Sequence, residues 1–469
     1  MARVNSEPPS SSAAAGPSYS TASMLPTTLA STPTLPPPFG PSSAYAQTSQ
    51  ARNWRFSPSQ LAHIRSTGNT AARKRLETLW AEENSSSPST IPFLSVDDEL
   101  ALITYYLIKV GQIVRAFSLP ELVESTATTF VKRFYLRNTC MDFHPKNIVI
   151  TCIFLASKAE NYPLSLNEFA RKLAGKNIDP AVVEENKQTV LGLEFLVSQS
   201  LNFEYGLTGA QRGLYGLILD LQSVKHGAGL GREEVHKLAA EAHSNLRISR
   251  LTDAEFIYTP AQIALACVRA VQEPNGREVV GKWLDAKELR ARSHVLEAKK
   301  RRQALREAET ARAAKAKIAL ARRTKGKAGA KAAEDEIAAA AATAQNEVVE
   351  FDDALLEAQP LGMAREELEK VLDEIENLIK ARENGGFTGK GKGAEDLERI
   401  KEIDKRQKQC MNPEKVPGSK LFKKRQAAQE DTAAGKGKRA RKSEEGKVDS
   451  DDDEVPVAKD FAAKPEPAV

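Results

Sequence analysis

Residues 148 to 159, Ile-Val-Ile-Thr-Cys-Ile-Phe-Leu-Ala-Ser-Lys-Ala, are apolar nearly all the way round a helix, and Pro145 stands where a first-turn proline opens one. A helix without a polar face cannot lie on a surface, so other helices have to enclose it. The flanking sequence supplies them. Ser57-Pro58-Ser59-Gln60 combines a hydroxyl cap, an early proline and a glutamine able to close a capping box, which predicts a helix to about Glu83 with a break allowed near Gly68. Ser95-Val96-Asp97-Asp98 caps a second helix, whose Leu100, Ile103, Leu107 and Val110 recur at spacings of three and four. Ser118 with Glu121 opens a third, carrying Val123, Ala127, Phe130, Val131 and Phe134 on one face. After the enclosed helix, Ser165 with Glu168 opens a short one ended by Gly175, and Asp179-Pro180 a long one through Leu201. From Ser95 onward this gives five helices with the third enclosed.

The pattern then returns. Helical stretches begin near Thr208, Arg232, Pro260 and Arg277, and Thr259-Pro260-Ala261-Gln262 is another capping box. Laying Pro260 on Pro145 aligns Ile263 with Ile148 and Cys267 with Cys152, an offset of 115 residues each time. Two copies of an all-α bundle follow, a long-period duplication. After Pro360, Leu368, Val371, Leu372, Ile375 and Ile379 have helical spacing and predict one last packed helix.

The ends read differently. Residues 1–50 hold nine of the chain's 24 prolines and only two charged residues, Arg3 and Glu7, so they are expected to be a disordered tail. Residues 384–469 are Gly/Lys-rich and then charged, and are expected to be a second one. Between about 295 and 358 lies a basic, alanine-rich insertion. Residues 299–327 hold 12 basic side chains against Glu307 and Glu309, with high helix propensity and no apolar stripe. A solvated, partly helical spacer fits, and contact with nucleic acid or an acidic partner is the sharper alternative. The whole-chain charge of +5 is therefore a residue of opposed local charges. The remaining span divides into an N-terminal helix and linker at 51–94, one bundle at 95–206, and a second with its closing helix at 207–383.

Catalytic chemistry finds no footing. Phosphate-binding glycine loops, H-E-x-x-H and G-x-S-x-G are missing from the sequence, and neither the four cysteines nor the six histidines approach metal-ligand spacing. No cofactor is expected. Neither a signal peptide nor a membrane span is expected either. A binding protein is the better expectation.

Phe154-Leu155-Ala156-Ser157-Lys158-Ala159-Glu160 resembles the L-A-S-K-x-E signature of the cyclin box, and two five-helix repeats match the tandem cyclin fold. Within the cyclins, several segments are similar to the cyclin H group: Arg52-Asn53-Trp54-Arg55-Phe56-Ser57, F-V-K-R-F-Y-L from Phe130, Ser200-Leu201-Asn202-Phe203, L-I-L-D-L from Leu217, and Leu251-Thr252-Asp253-Ala254 followed by Tyr258-Thr259-Pro260-Ala261-Gln262. The resemblance covers roughly residues 51 to 290 and the helix after Pro360. It implies a non-catalytic subunit that binds and activates the cyclin-dependent kinase of the CDK-activating complex. That complex is completed by a RING-containing assembly factor, joins the TFIIH core in the nucleus, and phosphorylates kinase activation loops and the RNA polymerase II C-terminal repeats.

By the same resemblance the kinase-facing residues are Lys158 and its partner Glu194, with Phe154, Ala159, Leu191 and Phe195 as apolar candidates. Trp54 and Phe56 are expected to anchor an N-terminal helix that, together with the last packed helix, packs on the first repeat and touches the kinase. Departures from cell-cycle cyclins include the helix from Leu100 to Tyr106, which lacks their substrate-docking tryptophan, and Lys132, which replaces an aspartate. In the tail, Lys423, Lys424 and Arg425 with Lys438, Arg439, Arg441 and Lys442 could form a bipartite nuclear-import signal. Ser450 precedes the acidic run Asp451 to Glu454 as an acidophilic-kinase site candidate. Two other readings share the fold: a transcription-elongation-type cyclin, and a TFIIB-like factor binding nucleic acid, which would want a basic groove within the repeats.

Overall fold

A computed structural model describes residues 44–84, 91–175, 179–223, 230–344, 363–385 and 393–428. The described residues fall into two compact units, one of 44–74 with 91–410 and a smaller one of 75–84 with 411–428. No strand occurs among them. In chain order the helices are α1 (Ser49–Asn53), α2 (Pro58–Glu83), α3 (Val96–Ala116), α4 (Glu121–Tyr135), α5 (Pro145–Ala159), α6 (Leu166–Leu173), α7 (Pro180–Ser200), α8 (Ala210–Ser223), α9 (Arg232–Ser249), α10 (Ala254–Ile257), α11 (Pro260–Arg269), α12 (Gly276–Ala344), α13 (Arg365–Asn384) and α14 (Gly393–Cys410). A final helix, α15, covers 420–428.

The enclosed helix is α5. Every residue from Ile148 to Ser157 is buried, and α3, α4 and α7 pack against it. His144 caps it by accepting the Lys146 N–H at Nδ1, and Pro145 takes the first turn, where its missing N–H costs nothing. In the second bundle α11 occupies the corresponding place, opened by the capping box of Thr259 and Gln262 and surrounded by α8, α9, α12 and α13. Cys152 and Cys267, aligned by the 115-residue offset, are both fully buried. The tight return from α11 into α12 needs glycine: a Cβ on Gly276 would sit 2.1 Å from the Val268 carbonyl oxygen.

Several expectations change. The helix after Pro360, α13, does not pack on the first repeat. It packs on α9 and α11 with Leu368, Leu372, Ile375 and Ile379 in the second core, so it is that bundle's fifth helix. The basic segment therefore lies inside the second bundle, between its fourth and fifth helices. It is more helical than expected, continuing α12 without interruption until Gly326 takes φ +68°. α2 also runs through Gly68 unbroken, and Ser118, at φ +54°, leaves the start of α4 to Pro120.

The expectation of a disordered tail from residue 384 is corrected too. α14 is a packed helix on α3, and its buried residues Ile400, Ile403, Gln407 and Cys410 recur at 3, 4 and 3. Gln407 Nε2 donates to the Cys140 carbonyl at 2.8 Å, and Arg406 pairs with Asp98 at 2.9 Å. His144, its Nδ1 already accepting, carries the proton on Nε2 and donates to Asp404 at 2.7 Å. Burial holds this imidazole below its ordinary pKa, against the opposing pull of Asp404.

The N-terminal segment is fastened where the two bundles meet. Trp54 is buried with Leu61, Ile64, Leu136 and Phe256, its Nε1 donates to Glu204 at 2.6 Å, and the Arg133 guanidinium lies 4.5 Å over its ring. Burial pushes Arg133 down to about 10, still charged at neutral pH. Arg65 makes a bidentate pair with Asp253, both bonds 2.7 Å. Lys132 donates to the Thr252 carbonyl at 2.5 Å and pairs with Glu255 at 2.8 Å, while Glu121 pairs with Arg250 at 2.9 Å.

The smaller unit is described by itself. Glu83 accepts the N–H groups of Lys420 and Leu421 at 2.8 and 2.9 Å, which caps α15 and holds the carboxyl below its usual range. Lys423, Lys424 and Arg425 lie on this helix, with Lys424 paired to Glu82 at 2.9 Å. That half of the import candidate is thus helical. Lys438, Arg439, Arg441, Lys442 and Ser450 lie outside the described residues.

Glu99, on the buried side of α3, accepts from Asn69 at 2.6 Å and from the Cys140 N–H at 3.0 Å. Burial outweighs both and pushes its carboxyl up to about 7. A folded-state pKa raised above the unfolded value gives stability that is complete below about 4.5 and is lost as pH rises through about 7. Glu99→Gln is expected to be insensitive in this window, whereas the natural chain loses on the order of 3 kcal/mol from this group. Urea midpoints of the two proteins at pH 5 and pH 8 check this, and equal slopes would overturn it.

Candidate functional site

α5 is enclosed for ten residues and then emerges. Lys158 and Ala159 are its first exposed side chains after Asn147. The helix ends immediately: Asn161 turns left-handed at φ +60°, a conformation asparagine tolerates, and the Tyr162 N–H closes on the Ser157 carbonyl at 2.8 Å. Glu160, the last residue of the signature, accepts from Thr126 of α4 at 2.5 Å and so fixes the end of α5 to its neighbour. Lys158 is held on both sides. Its ammonium lies 4.4 Å from the Phe154 ring centre and donates to Glu194 of α7 at 2.6 Å.

α7 turns Val183, Val190 and Val197 inward and presents Leu191, Glu194 and Phe195 outward, one helical turn apart. Leu191 and Phe195 are 53% and 54% exposed, far more than large apolar side chains on a well-covered surface need to be. Asn202 and Phe203 follow at φ +53° and +58°. A left-handed phenylalanine costs about 1 kcal/mol or more, and here it brings the exposed Phe203 ring to 6.0 Å from that of Phe195. Gly192, beside them on the helix surface, has open space where a Cβ would stand.

The structure thus brings together Lys158, Glu194, Ala159, Leu191 and Phe195. Phe154 is buried, packing on Phe169 and supporting Lys158 from beneath. Trp54, at 2% exposure, has no surface to offer a partner, and half-buried Phe56 packs edge-on against Phe256. Both position the N-terminal segment and are not part of this patch. Phe203 is not among the residues the sequence predicts, because an exposed aromatic three residues beyond a helix end carries no periodic signal.

The second bundle makes a comparable bridge from its enclosed helix to its fifth. Arg269 of α11 reaches Glu376 of α13 at 3.3 Å, but these side chains are only 10% and 1% exposed, against 43% and 25% for Lys158 and Glu194. Arg277 also pairs with Glu376, at 2.7 Å. The second bridge is spent inside its bundle. The first is open.

Residues 76–206 match the model of the cyclin N-terminal domain, and 210–380 that of the cyclin C-terminal domain, a span that includes most of α13. Cyclin-H of Xenopus laevis is 31% identical over 227 residues, which is 48% of this chain and 67% of that protein. The chain belongs to the cyclin H family. Another relative, cyclin CCL1 of Saccharomyces cerevisiae, is 31% identical over 253 residues, and this cyclin covers 61% of its length. A chain in the structure of the CAK complex of Chaetomium thermophilum bound to ATP-γ-S has the same fold, with a TM-score of 0.53 and 22% identity over 87% of this cyclin and 98% of that chain.

An exposed ion pair adds about 0 to 1 kcal/mol to the stability of the protein that carries it. Lys158→Ala is therefore expected to change the unfolding free energy of the isolated cyclin by less than about 1 kcal/mol. Chemical denaturation checks this, and a loss several times larger would mean that the pair is structural.

Proposed function

We propose that this cyclin is the non-catalytic activating subunit of a cyclin-dependent serine/threonine kinase, in the TFIIH kinase module, and that the surface of α5 and α7 receives the kinase αC helix. The observation that carries the reading is the open Lys158–Glu194 bridge, flanked by exposed Leu191, Phe195 and Phe203. Within a contact the pair loses water and its charge-assisted hydrogen bonds strengthen, so it chooses and orients a partner more than it adds bulk affinity. The aromatic and aliphatic side chains supply area to bury. A helix held inward at this surface places the kinase glutamate against the ATP-binding lysine, the ion pair phosphoryl transfer requires.

The relatives support this assignment. One of them carries the name cyclin-H, and a chain of similar fold lies in a CAK complex. In this reading a RING-containing assembly factor and the TFIIH core are the further partners. The substrates are kinase activation loops and the polymerase C-terminal repeats, and the complex works in the nucleus. The TFIIB-like alternative loses ground, because Lys132, Arg250 and Arg65 at the meeting of the two bundles are engaged with Glu255, Glu121 and Asp253.

Purified alone, the cyclin is expected to phosphorylate nothing. Glu194→Lys sets two cations side by side and is expected to weaken kinase binding at least tenfold, with a matching loss of activation. Phe195→Asp should do the same while leaving the circular dichroism unchanged. Titration calorimetry with the purified kinase and a peptide phosphorylation assay measure both effects, and unchanged binding in both variants would remove this surface from the interface.

A further inference from the structure

The basic arm of α12 is used by nothing described so far. The helix is rooted in the second core by Val279, Val280, Trp283 and Leu284, and then continues beyond the bundle as a single helix to Gly326. From residue 290 to 325 that is about 54 Å at 1.5 Å per residue. Ten basic side chains between Lys300 and Lys327 are exposed on it. At 100° per residue, Lys300, Arg306 and Arg312 stand at about 0°, 240° and 120° around the axis. The positive charge therefore surrounds the helix.

That distribution selects among polyanions. A helix that lies on a lipid surface needs an apolar face opposite its charges, and one that joins a protein helix needs an apolar seam. The stretch 300–313 has neither: between its charges stand mostly alanines, with Leu305, 63% exposed, the one large aliphatic side chain, and the short half-buried stripe of Ala314, Ile318 and Ala321 beyond it is met by the chain's own return, where a Cβ on Gly329 would lie 3.2 Å from the Ala321 carbonyl oxygen. Alanine matters in two ways. It keeps the cylinder slim, and it makes the helix form before any partner is present, offsetting the repulsion between like charges one turn apart such as Arg322 and Lys325. A slim, pre-formed helix with cations on all sides fits a groove whose two walls are both anionic. The major groove of B-form DNA, about 12 Å wide and walled by phosphates of both strands, admits such a helix.

We infer that the α12 arm binds duplex DNA through its phosphates, without reading base sequence. A straight helix stays in the groove for only part of its length, so about half of the ten charges engage at once. Neutralising about five phosphates gives a slope of log affinity on log salt of about −4 to −5. The test uses the full chain and a fluorescein-labelled 30-base-pair DNA of arbitrary sequence, followed by anisotropy at 50, 100 and 200 mM KCl. Affinity is expected to fall several hundredfold across that range. Changing Arg301, Arg306, Arg312, Lys315, Arg322 and Arg323 to glutamine, a good helix former, should weaken binding at least 30-fold at 100 mM and more than halve the slope. Placing lysine at the same six positions should restore both. The inference is overturned if the glutamine variant keeps its affinity and slope, if the lysine variant fails to restore them, or if RNA duplex, polyglutamate or phosphatidylserine vesicles bind as tightly as the DNA.

Discussion

Burial of α5 is the constraint on which the first bundle depends. Ten consecutive residues without solvent contact require neighbours on every side, and α3, α4 and α7 are arranged to provide them. Each buried Val, Ile, Leu or Phe contributes about 1.5 to 3 kcal/mol, so this one helix supplies a large share of what stabilises the bundle. Its end also determines where a partner can be met. The enclosure stops after Ser157, and the next residue is a lysine placed within reach of α7. The open ion pair is a consequence of where the core runs out.

The two repeats then differ in how they use the same geometry. Both connect an enclosed helix to a fifth helix by a cation and a carboxylate. In the second the pair is sealed, with Arg277 as an additional cation on Glu376. A buried carboxylate with two guanidinium partners is a device for holding helices together, since removing either side leaves an uncompensated charge. In the first the same kind of pair is left half in water, and adds little to the isolated fold. The repeat that has not spent its bridge is the one that can offer it to another protein.

Local chemistry made much of this legible. Capping boxes at Ser95 and Thr259 stand where the sequence places them, and the apolar spacing of α3, α4 and α5 reads directly as burial. What escaped was non-local. α14 has ten charged residues among its 18, and half of its buried stripe is Gln407 and Cys410, so a hydrophobicity pattern sees little beyond Leu397, Ile400 and Ile403. Its amide finds its partner, the Cys140 carbonyl, 267 residues earlier in the chain. The place of α13 was hidden for a related reason: the long helix between it and α11 conceals that two sequence-distant helices are members of one bundle. Lys132 stood out as a departure from a pattern, but its role needed the carbonyls of residues 250 and 252, which only the fold brings near. The Lys158–Glu194 pair likewise spans 36 residues and two helices, and the resemblance to known cyclins, not the spacing, paired them.

The patch beside that pair is best understood through what it costs. A left-handed phenylalanine, a glycine within a helix and two half-exposed apolar side chains on α7 each work against the stability of an isolated chain. Gly192 alone gives up about 1 kcal/mol relative to alanine. Scattered singly, such features mean little. Here Leu191, Phe195 and Gly192 stand side by side over about 100° of the helix, Phe203 turns back onto Phe195, and the Glu194 carboxylate, held by Lys158, lies at their edge. An apolar surface with a charged edge and a gap that admits close approach of a backbone is poorly adapted to water and well adapted to another helix. The strain at Phe203 serves the same end, since relaxing it would carry the ring away from Phe195 and divide the patch.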